Sequence, residues 1–214
     1  NFDDIEIIDF KAKLEELELE LSSLKEFEDT FDLKFKIVYV TEDHAISIET
    51  KTPDVDDDYI YITLPEIREM LARNIYIKDK IKSLQNGGLT VMTDEDGNEI
   101  HRKDFSGIET WWNFTATNLS AMFKNCRTFN EKIDNWTMNK VTDLSSIFEG
   151  CVSFNQPLNK WFIQDAENLS SMFKGCVSFN QPLNSWNVKN ATDLSHMFED
   201  CKSFNQPLDS WQLG

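Results

Sequence analysis

The sequence has little of what catalysis and membrane insertion require. Its 214 residues include three histidines, His44, His101 and His196, which lie far apart. We find no HExxH motif, nucleophile elbow, P-loop or dinucleotide fingerprint, and no run of about 18 apolar residues. These absences predict a protein that is not an enzyme. They also predict no catalytic residue, no cofactor, no metal site and no membrane span.

Basic residues are also scarce. The chain has 21 Lys and Arg against 38 Asp and Glu, for a net charge of −17. Residues 1–117 hold 28 acidic and 13 basic residues, a net −15, whereas residues 118–214 hold 10 and 8. This asymmetry indicates two domains. Because phosphates need Lys or Arg partners, it excludes direct nucleic-acid binding. The acidic half is either a solvated surface or one that competes for basic sites.

One stretch of sequence is written four times. It reads NLSAMFKNCRTFNEKIDNW from Asn118 and recurs from Asp143, Asn168 and Asp193 with a period of 25 residues. A fixed period of this length is typical of a solenoid. A lone coil buries too little apolar surface to offset its ordering entropy, so the coils are expected to stack.

Apolar residues within each repeat recur at i, i+3, i+4 and i+7, which predicts a two-turn helix. In the first repeat they are Leu119, Met122, Phe123 and Cys126. The helix is expected to stop in a left-handed turn just before the Cys, at Asn125, Gly150, Gly175 or Asp200. We expect the Phe-Asn-Gln-Pro-Leu segment that follows to be extended. Its Asn is expected to be one rung of a buried ladder of asparagines, and the Trp after it is expected to point inward and close the coil.

The four cysteines occupy one position of the repeat, Cys126, Cys151, Cys176 and Cys201. No CxxC motif or paired histidine accompanies them, which argues against a metal site. If each ends a helix, helix packing places neighbours about 8–10 Å apart, beyond disulfide reach. They are therefore expected to be unpaired, small buried residues.

The acidic half reads as a small α+β domain in the order α-β-β-β-α-β-β. A first helix spans residues 9–31, with an apolar seam at Phe10, Leu14, Leu17, Leu21, Leu24 and Phe31. A second follows a capping box at Thr63 and ends before Asn86. The apolar stripe expected on this second helix has two polar gaps, Asn74 and Lys78. Its positions are Ile67, Met70, Leu71, Asn74, Ile75, Lys78 and Ile81. Strands are expected at residues 33–41, 45–51, 59–63, 89–93 and 99–102, the last two as a hairpin. The acidic loop Pro53–Asp58 has no EF-hand spacing and reads as solvated.

A degenerate coil is expected between the two parts. Phe105 and Trp112 keep the Phe-to-Trp spacing of the later repeats. The predicted division is therefore an acidic domain over residues 1–104, a capping coil over 105–117 and a solenoid over 118–214. No capping helix follows the last repeat, so either the natural chain continues or another surface covers that end, self-association through the C-terminal coil being one such interaction.

The pattern N/D-L-S-x-M-F-x-G-C-x-S-F-N-Q-P-L-x-x-W resembles the 25-residue repeat of BspA-like leucine-rich-repeat surface proteins, especially mycoplasma lipoproteins. The similarity covers residues 118–214; the first repeat departs from it with Glu131-Lys132 in place of Gln-Pro. It implies a right-handed, leucine-rich-repeat-like α/β solenoid of about four coils, a role in adhesion or protein binding, and a cell-surface or secreted location. It implies no catalytic residue and says nothing about residues 1–104.

Candidate partner-binding residues follow from this expectation. If extended segments stack at about 4.8 Å and helices at about 8–10 Å, the strand side is concave and carries the glutamine column. The positions at which coils differ are the more informative ones. Phe162 stands where other coils have a polar residue, either as core filling or as a contact hot spot. The candidates are Phe162, Val152, Val177, Arg127, Lys202, Gln156, Gln181 and Gln206.

Two functions fit the sequence. The first is a non-enzymatic protein–protein interaction module whose partner is another protein. The alternative is an acidic inhibitor that imitates nucleic acid and blocks a nuclease or nucleic-acid-binding protein. The sequence has no signal segment and its cysteines are expected to be unpaired, which favours the cytoplasm as the alternative location. Because the chain starts at Asn1 and not at Met, the missing signal carries little weight.

Overall fold

The computed structural model of the chain describes residues 18–38, 60–86, 89–93, 99–103, 105, 107–111 and 114–214. Contacts divide the chain into two compact units, Asn1–Ile75 and Tyr76–Gly214. This division falls earlier than the expected domain boundary at residue 104, because the second half of a long helix packs with the repeats. Whether residues 1–104 fold as a domain of their own stays a prediction.

The first unit is built on two helices. Helix α1 covers residues 18–31 of the described chain, and helix α2 is Leu64–Gln85. Leu24 of α1 packs with Ile67 and Leu71 of α2. The apolar seam expected along α1 is partly wrong, since Leu21 is exposed and Phe27 is buried instead.

Two short pairs of strands accompany the helices. Strand β1, Phe35–Val38, pairs in parallel with β2, Ile60–Thr63. In the second unit β3, Leu89–Thr93, pairs antiparallel with β4, Glu99–Lys103, which confirms the expected hairpin. The expected strand at 45–51 and the acidic loop Pro53–Asp58 lie outside the described residues.

Helix α2 begins next to the expected capping residue and ends directly before Asn86, as the sequence predicts. Ile67, Leu71, Asn74 and Ile81 of the expected stripe are buried, whereas Ile75 is exposed. In the second half of the helix, Ile77 and Leu84 are buried together with Ile81 in the same core as the repeats. A 3₁₀ turn, Ile108–Thr110, precedes the first repeat.

The helix predicted in each repeat is absent from residues 118–214, and that prediction is wrong. The segment from Leu119 to Cys126 is a run of overlapping turns. Ala121 and Asn125 have φ of 55° and 63°, which a right-handed helix cannot contain. The apolar pattern itself is right, since Leu119, Met122 and Phe123 are fully buried. A run of turns and a helix thus bury the same positions of this sequence, but their backbone N–H groups donate to different carbonyls.

Alternate backbone groups of this turn segment bond within a coil and between coils. The N–H groups of Leu119, Ala121, Phe123 and Asn125 donate to carbonyls of the next coil over 2.6–3.0 Å. Those of Met122, Lys124 and Cys126 donate to the carbonyl three residues back in their own coil. The same alternation recurs from Leu144 and Leu169. The stacked turns thereby satisfy backbone groups that an isolated turn would leave to water.

Left-handed backbone at a non-glycine residue costs about 1–2 kcal/mol. The third residue of every turn segment adopts it, namely Ala121, Ser146, Ser171 and His196. Of these residue types, only His is enriched at φ > 0. A backbone hydrogen bond contributes about 0.5–1.5 kcal/mol, so the inter-coil bonds offset the strain and the conformation depends on stacking.

Aromatic side chains form continuous columns through the stack. Ring centroids of Phe123, Phe148 and Phe173 are 5.6–5.7 Å apart in successive coils. A concave strand side was expected from helices about 8–10 Å apart on the opposite side; residues 118–214 form no helix, so that basis for the concave side is wrong. Each repeat tryptophan also donates Nε1–H to a carbonyl of the preceding coil, as Trp161 does to Ile133 over 2.8 Å.

The capping coil has a different register from the one expected. Trp111, and not Trp112, is the counterpart of the repeat tryptophans, because its ring stacks on Trp136 at 5.6 Å and 16°. Ile108 also accepts the Trp136 Nε1–H, as Ile133 does for Trp161. Trp112 lies outside the described residues. The 25-residue period therefore extends back to Trp111 without interruption.

The asparagine ladder is confirmed, but it is not buried. Asn130, Asn155 and Asn180 each accept, through Oδ1, the backbone N–H of the next asparagine in the column at 2.9–3.0 Å. Asn130 and Asn155 are nevertheless exposed. The ladder thus holds coils together at the surface of the stack.

The cysteines are free, as expected. Cys151, Cys176 and Cys201 donate S–H to the Phe carbonyl of the preceding coil at 2.8–3.0 Å. Burial raises the pKa of the Cys176 thiol strongly and that of Cys201 to about 11. These thiols are neutral parts of the coil interface.

The side chain of Gln85, at the end of α2, covers the open edge of the first coil. Its Nε2 donates to the carbonyls of Asn118 and Ser120 at 3.2 and 3.1 Å. In later coils the equivalent carbonyls, those of Asp143 and Ser145, accept backbone N–H groups. One amide therefore replaces two backbone donors and ends the ladder.

We expect Gln85→Ala to lower the free energy of unfolding by about 1–2 kcal/mol, because two carbonyls lose their donor. Chemical denaturation measures the difference. Ser83→Ala, at an exposed position of the same turn, is the control and should change little. Equal stability of both variants would contradict the capping role.

Raising the pH should weaken the coil interfaces. The pKa of Cys201 lies near 11 in the folded chain against an ordinary 9.0, so the unfolded thiol loses its proton first. Stability is therefore complete below about pH 9 and falls as pH rises towards 11. Unfolding of the wild type and of Cys176→Ala/Cys201→Ala, followed from pH 8 to 10.5, measures the contribution. The variant should lose less stability over this range, and parallel losses would show that the thiols do not contribute.

Candidate partner-binding surface

Phe162 projects from the stack between two inward residues. Trp161 and Ile163 are buried on either side, while Phe162 is 76% exposed. It is therefore not core filling, which was one of its two expected roles. The buried neighbours hold its backbone, and Trp161 is further fixed by its hydrogen bond to Ile133. A rigid coil thus presents an aromatic ring to solvent.

The residues that follow the cysteines form one continuous column. Ser153 donates its N–H to the Arg127 carbonyl at 3.0 Å, and Ser178 and Ser203 do the same to Val152 and Val177 at 3.2 Å. The column therefore runs in the order Arg127, Val152, Val177, Lys202. Its two valines are half-buried, and the cations at its ends are exposed.

Two of the three candidate glutamines donate hydrogen bonds to the preceding coil. Gln181 donates Nε2–H to Asn155 Oδ1 at 3.0 Å, and Gln206 makes the same bond to Asn180 at 3.1 Å. Gln156 is half-buried, as these two are. The amides of Gln181 and Gln206 therefore reinforce the asparagine ladder. Phe162 and the two cations of the Arg127–Lys202 column are the candidates that are exposed.

A ladder of alternating charge runs along the stack, and our reading of the sequence missed it. The residue directly after the first Phe of each repeat is, in successive coils, Lys124, Glu149, Lys174 and Glu199. Lys124 Nζ lies 2.9 Å from Glu149, and Lys174 Nζ lies 2.9 Å from Glu199. Burial raises the pKa of Glu149, but hydrogen bonds from Lys124 and Ser146 outweigh it and hold that pKa below its ordinary value.

The first residue of each repeat alternates in the same way. It is Asn118, Asp143, Asn168 and then Asp193. Parallel bridges join these residues in order, and Asn118 Nδ2 donates to Asp143 Oδ2 at 3.0 Å. No charged residue in 118–214 has a like charge 25 positions away. Stacking makes such positions neighbours, so like charges there would repel.

The first residue of the repeat also closes a local turn. Oδ1 of Asn168 accepts the backbone N–H and the hydroxyl of Ser170 at 3.0 and 2.7 Å, and Asp143 binds Ser145 alike. The hydroxyl and backbone of Ser195 hold the pKa of Asp193 below its ordinary range. These side chains stabilise turns.

The described part of the chain contains no group of three His, Cys, Asp or Glu placed to hold a metal ion. Within the same residues, no helix combines the length and the apolar character needed to cross a membrane.

A family model described as "Mycoplasma protein of unknown function, DUF285" matches residues 97–213, more than half of the chain. No curated protein and no solved structure matches significantly. The matched region includes β4 and the coil of Trp111, in agreement with the uninterrupted 25-residue period.

Glu149→Lys should destabilise the stack, because it places three lysines in adjacent coils. We expect a lower midpoint of thermal unfolding at low salt and a smaller loss at high salt, which screens the repulsion. Inverting all four positions (Lys124→Glu, Glu149→Lys, Lys174→Glu and Glu199→Lys) restores alternation and should recover most of the loss. Equal damage from one change and from four would show that the order of charges is irrelevant.

Proposed function

We propose that the stacked coils of this chain, which belongs to the DUF285 family of mycoplasma proteins of unknown function, form a non-enzymatic protein-binding module. The observation that carries this proposal is the exposed Phe162 ring on a coil fixed by buried neighbours. Aromatic residues are enriched in protein interfaces. An anchor that is rigid before binding loses little entropy when the partner arrives.

The column Arg127–Val152–Val177–Lys202 supports the same proposal. Two half-buried valines between exposed cations give an apolar centre with a charged rim, the usual anatomy of a protein interface. We propose the leucine-rich-repeat-like, right-handed solenoid of the BspA-like proteins as the architecture. Adhesion at the cell surface, or action after secretion, is the matching role and location.

The acidic half supports a second proposal, an inhibitor that occupies the basic site of a nuclease or nucleic-acid-binding protein. Its net charge of −15 over residues 1–117 would attract such a partner. Binding of this kind weakens steeply with salt, whereas an interface centred on Phe162 should respond weakly. A salt series on one captured partner separates the two proposals.

Substitution of Phe162 tests the leading proposal. Phe162→Asp, alone and with Val177→Asp, should reduce capture of the partner from an extract of the source cells by about tenfold or more, since a central aromatic anchor often carries 2 kcal/mol or more. The thermal midpoint of Phe162→Asp should change little because the ring is exposed.

The matched control is Asn187→Asp, which adds the same charge at the same position of the next coil, where the residue is also exposed. It should capture the partner as the wild type does. Undiminished capture by Phe162→Asp would reject this face, and equal loss in both variants would indicate a charge effect only.

A further inference from the structure

The exposed ring of Phe162 has polar neighbours along its own coil. Outward and inward side chains alternate in this segment: Lys160, Phe162 and Gln164 are exposed, while Trp161 and Ile163 are buried between them. The ring is therefore flanked by a lysine on one side and by an amide on the other. No apolar side chain extends its surface along the chain.

The neighbouring coils also offer hydrogen-bonding groups to the ring. Thr137 and Asn187 occupy the Phe162 position in the coils before and after it. The preceding tryptophans, Trp136 and Trp161, stack at 6.1 Å and 9°, which shows how close these coils lie. The residues two positions before and after Thr137 and Asn187 complete the surround, and they are Asn135, Asn139, Ser185 and Lys189.

Negative charge is missing from this surround, although the chain as a whole carries −17. Of the eight positions around the ring, none holds an acidic or an apolar residue. Lys160 is one of the two cations, and its Nζ lies 2.7 Å from Asp134, which offsets its charge. The surround therefore suits an uncharged ligand with many hydrogen-bonding groups.

The side-chain amide of Gln164 is available beside the ring. The backbone of Gln164 is held in place, because its carbonyl accepts Asn190 Nδ2–H at 2.8 Å. Its side chain is exposed and has no hydrogen-bond partner in the described part of the chain. Asn187 differs, since its Oδ1 already accepts the backbone N–H of Lys189 at 3.2 Å. Gln164 thus offers two donors and one acceptor group to a ligand on Phe162.

One aromatic ring among amides matches a ligand that has one apolar face and a polar edge. The core of a protein–protein interface is an apolar patch of several residues, whereas the apolar part here is a single side chain. A pyranose has the corresponding chemistry, because C–H groups lie on a face of its ring and hydroxyl groups project from its edge. The negative face of a phenyl ring attracts the C–H groups, and amides pair with the hydroxyls.

We infer that Phe162 stacks on a neutral pyranose of a glycan carried by the partner protein, and that Gln164 hydrogen-bonds to the hydroxyls of this sugar. The inference rests on the proposed function, since it takes Phe162 as the contact residue and names the chemistry that this residue recognises. The coil holds the ring and the amide side by side before binding, which reduces the entropy lost on association.

Titration of the isotope-labelled chain with methyl β-D-galactopyranoside and with methyl β-D-glucopyranoside, followed by NMR, tests this inference. We expect at least one of them to shift the amide signals of Phe162 and Gln164 saturably, with a dissociation constant of about 1 mM for so small a ligand. Mannitol, which has the hydroxyls but no ring face, should cause no such shifts. Phe162→Tyr keeps the aromatic face and should bind as the wild type does, whereas Phe162→Leu keeps only apolar bulk and should bind about tenfold more weakly.

Absence of shifts with both pyranosides would overturn the inference. Equal affinity of the Tyr and Leu variants would also overturn it, because the ring face would then be irrelevant. An equal response to mannitol would have the same meaning, since it would show that hydroxyl groups alone are bound.

Capture of the partner separates this inference from the proposed function. An excess of the two pyranosides should release the captured partner, an equal excess of mannitol should not, and the released polypeptide should stain for carbohydrate. Capture that Phe162→Asp abolishes but the pyranosides leave intact, or a partner without sugar, would overturn the inference and leave the protein-binding proposal standing. Undiminished capture by Phe162→Asp would reject both.

Discussion

Hydrogen bonds between coils determine the conformation of the repeat. Each turn segment donates alternate backbone N–H groups to the next coil and holds a non-glycine residue such as Ala121 or Ser146 at positive φ. Since that conformation costs about 1–2 kcal/mol, an isolated coil has no reason to adopt it. The columns of Phe, Trp, Cys and Asn are in register because the backbone ladder sets the register. The stack is therefore a cooperative unit in which each coil is the template for its neighbour.

Stacking at short range makes residues 25 positions apart into neighbours, which restricts the charges that the surface can carry. The alternation of Lys124, Glu149, Lys174 and Glu199 turns a potential repulsion into ion pairs. Neighbouring coils therefore differ from each other at the charged positions of the surface. Functional variation has to lie where neither the ladder nor the core restricts the residue, as at Phe162.

Much of the fold could be predicted from the sequence, and the failures have one cause. The period, the burial of residues such as Leu119 and Phe123, the β3–β4 hairpin and the free cysteines follow from local patterns. The turns could not be separated from a helix because both bury i, i+3, i+4 and i+7, and bonds to residues 24 positions away decide between them. The Gln85 cap is equally non-local. At the candidate site, the column from Arg127 to Lys202 was predicted, whereas the scaffold bonds of Gln181 and Gln206 required coordinates.

Amide hydrogen exchange resolved by residue tests the inter-coil ladder most directly. The account predicts slow exchange for Leu169, Ser171 and Phe173, whose N–H groups bind the next coil. It predicts fast exchange for their counterparts Leu194, His196 and Phe198, which have the same local sequence pattern and no backbone acceptor in the described chain. Equal protection of the two sets would contradict the account, because it would mean that bonds within each repeat, as in a helix, hold these segments.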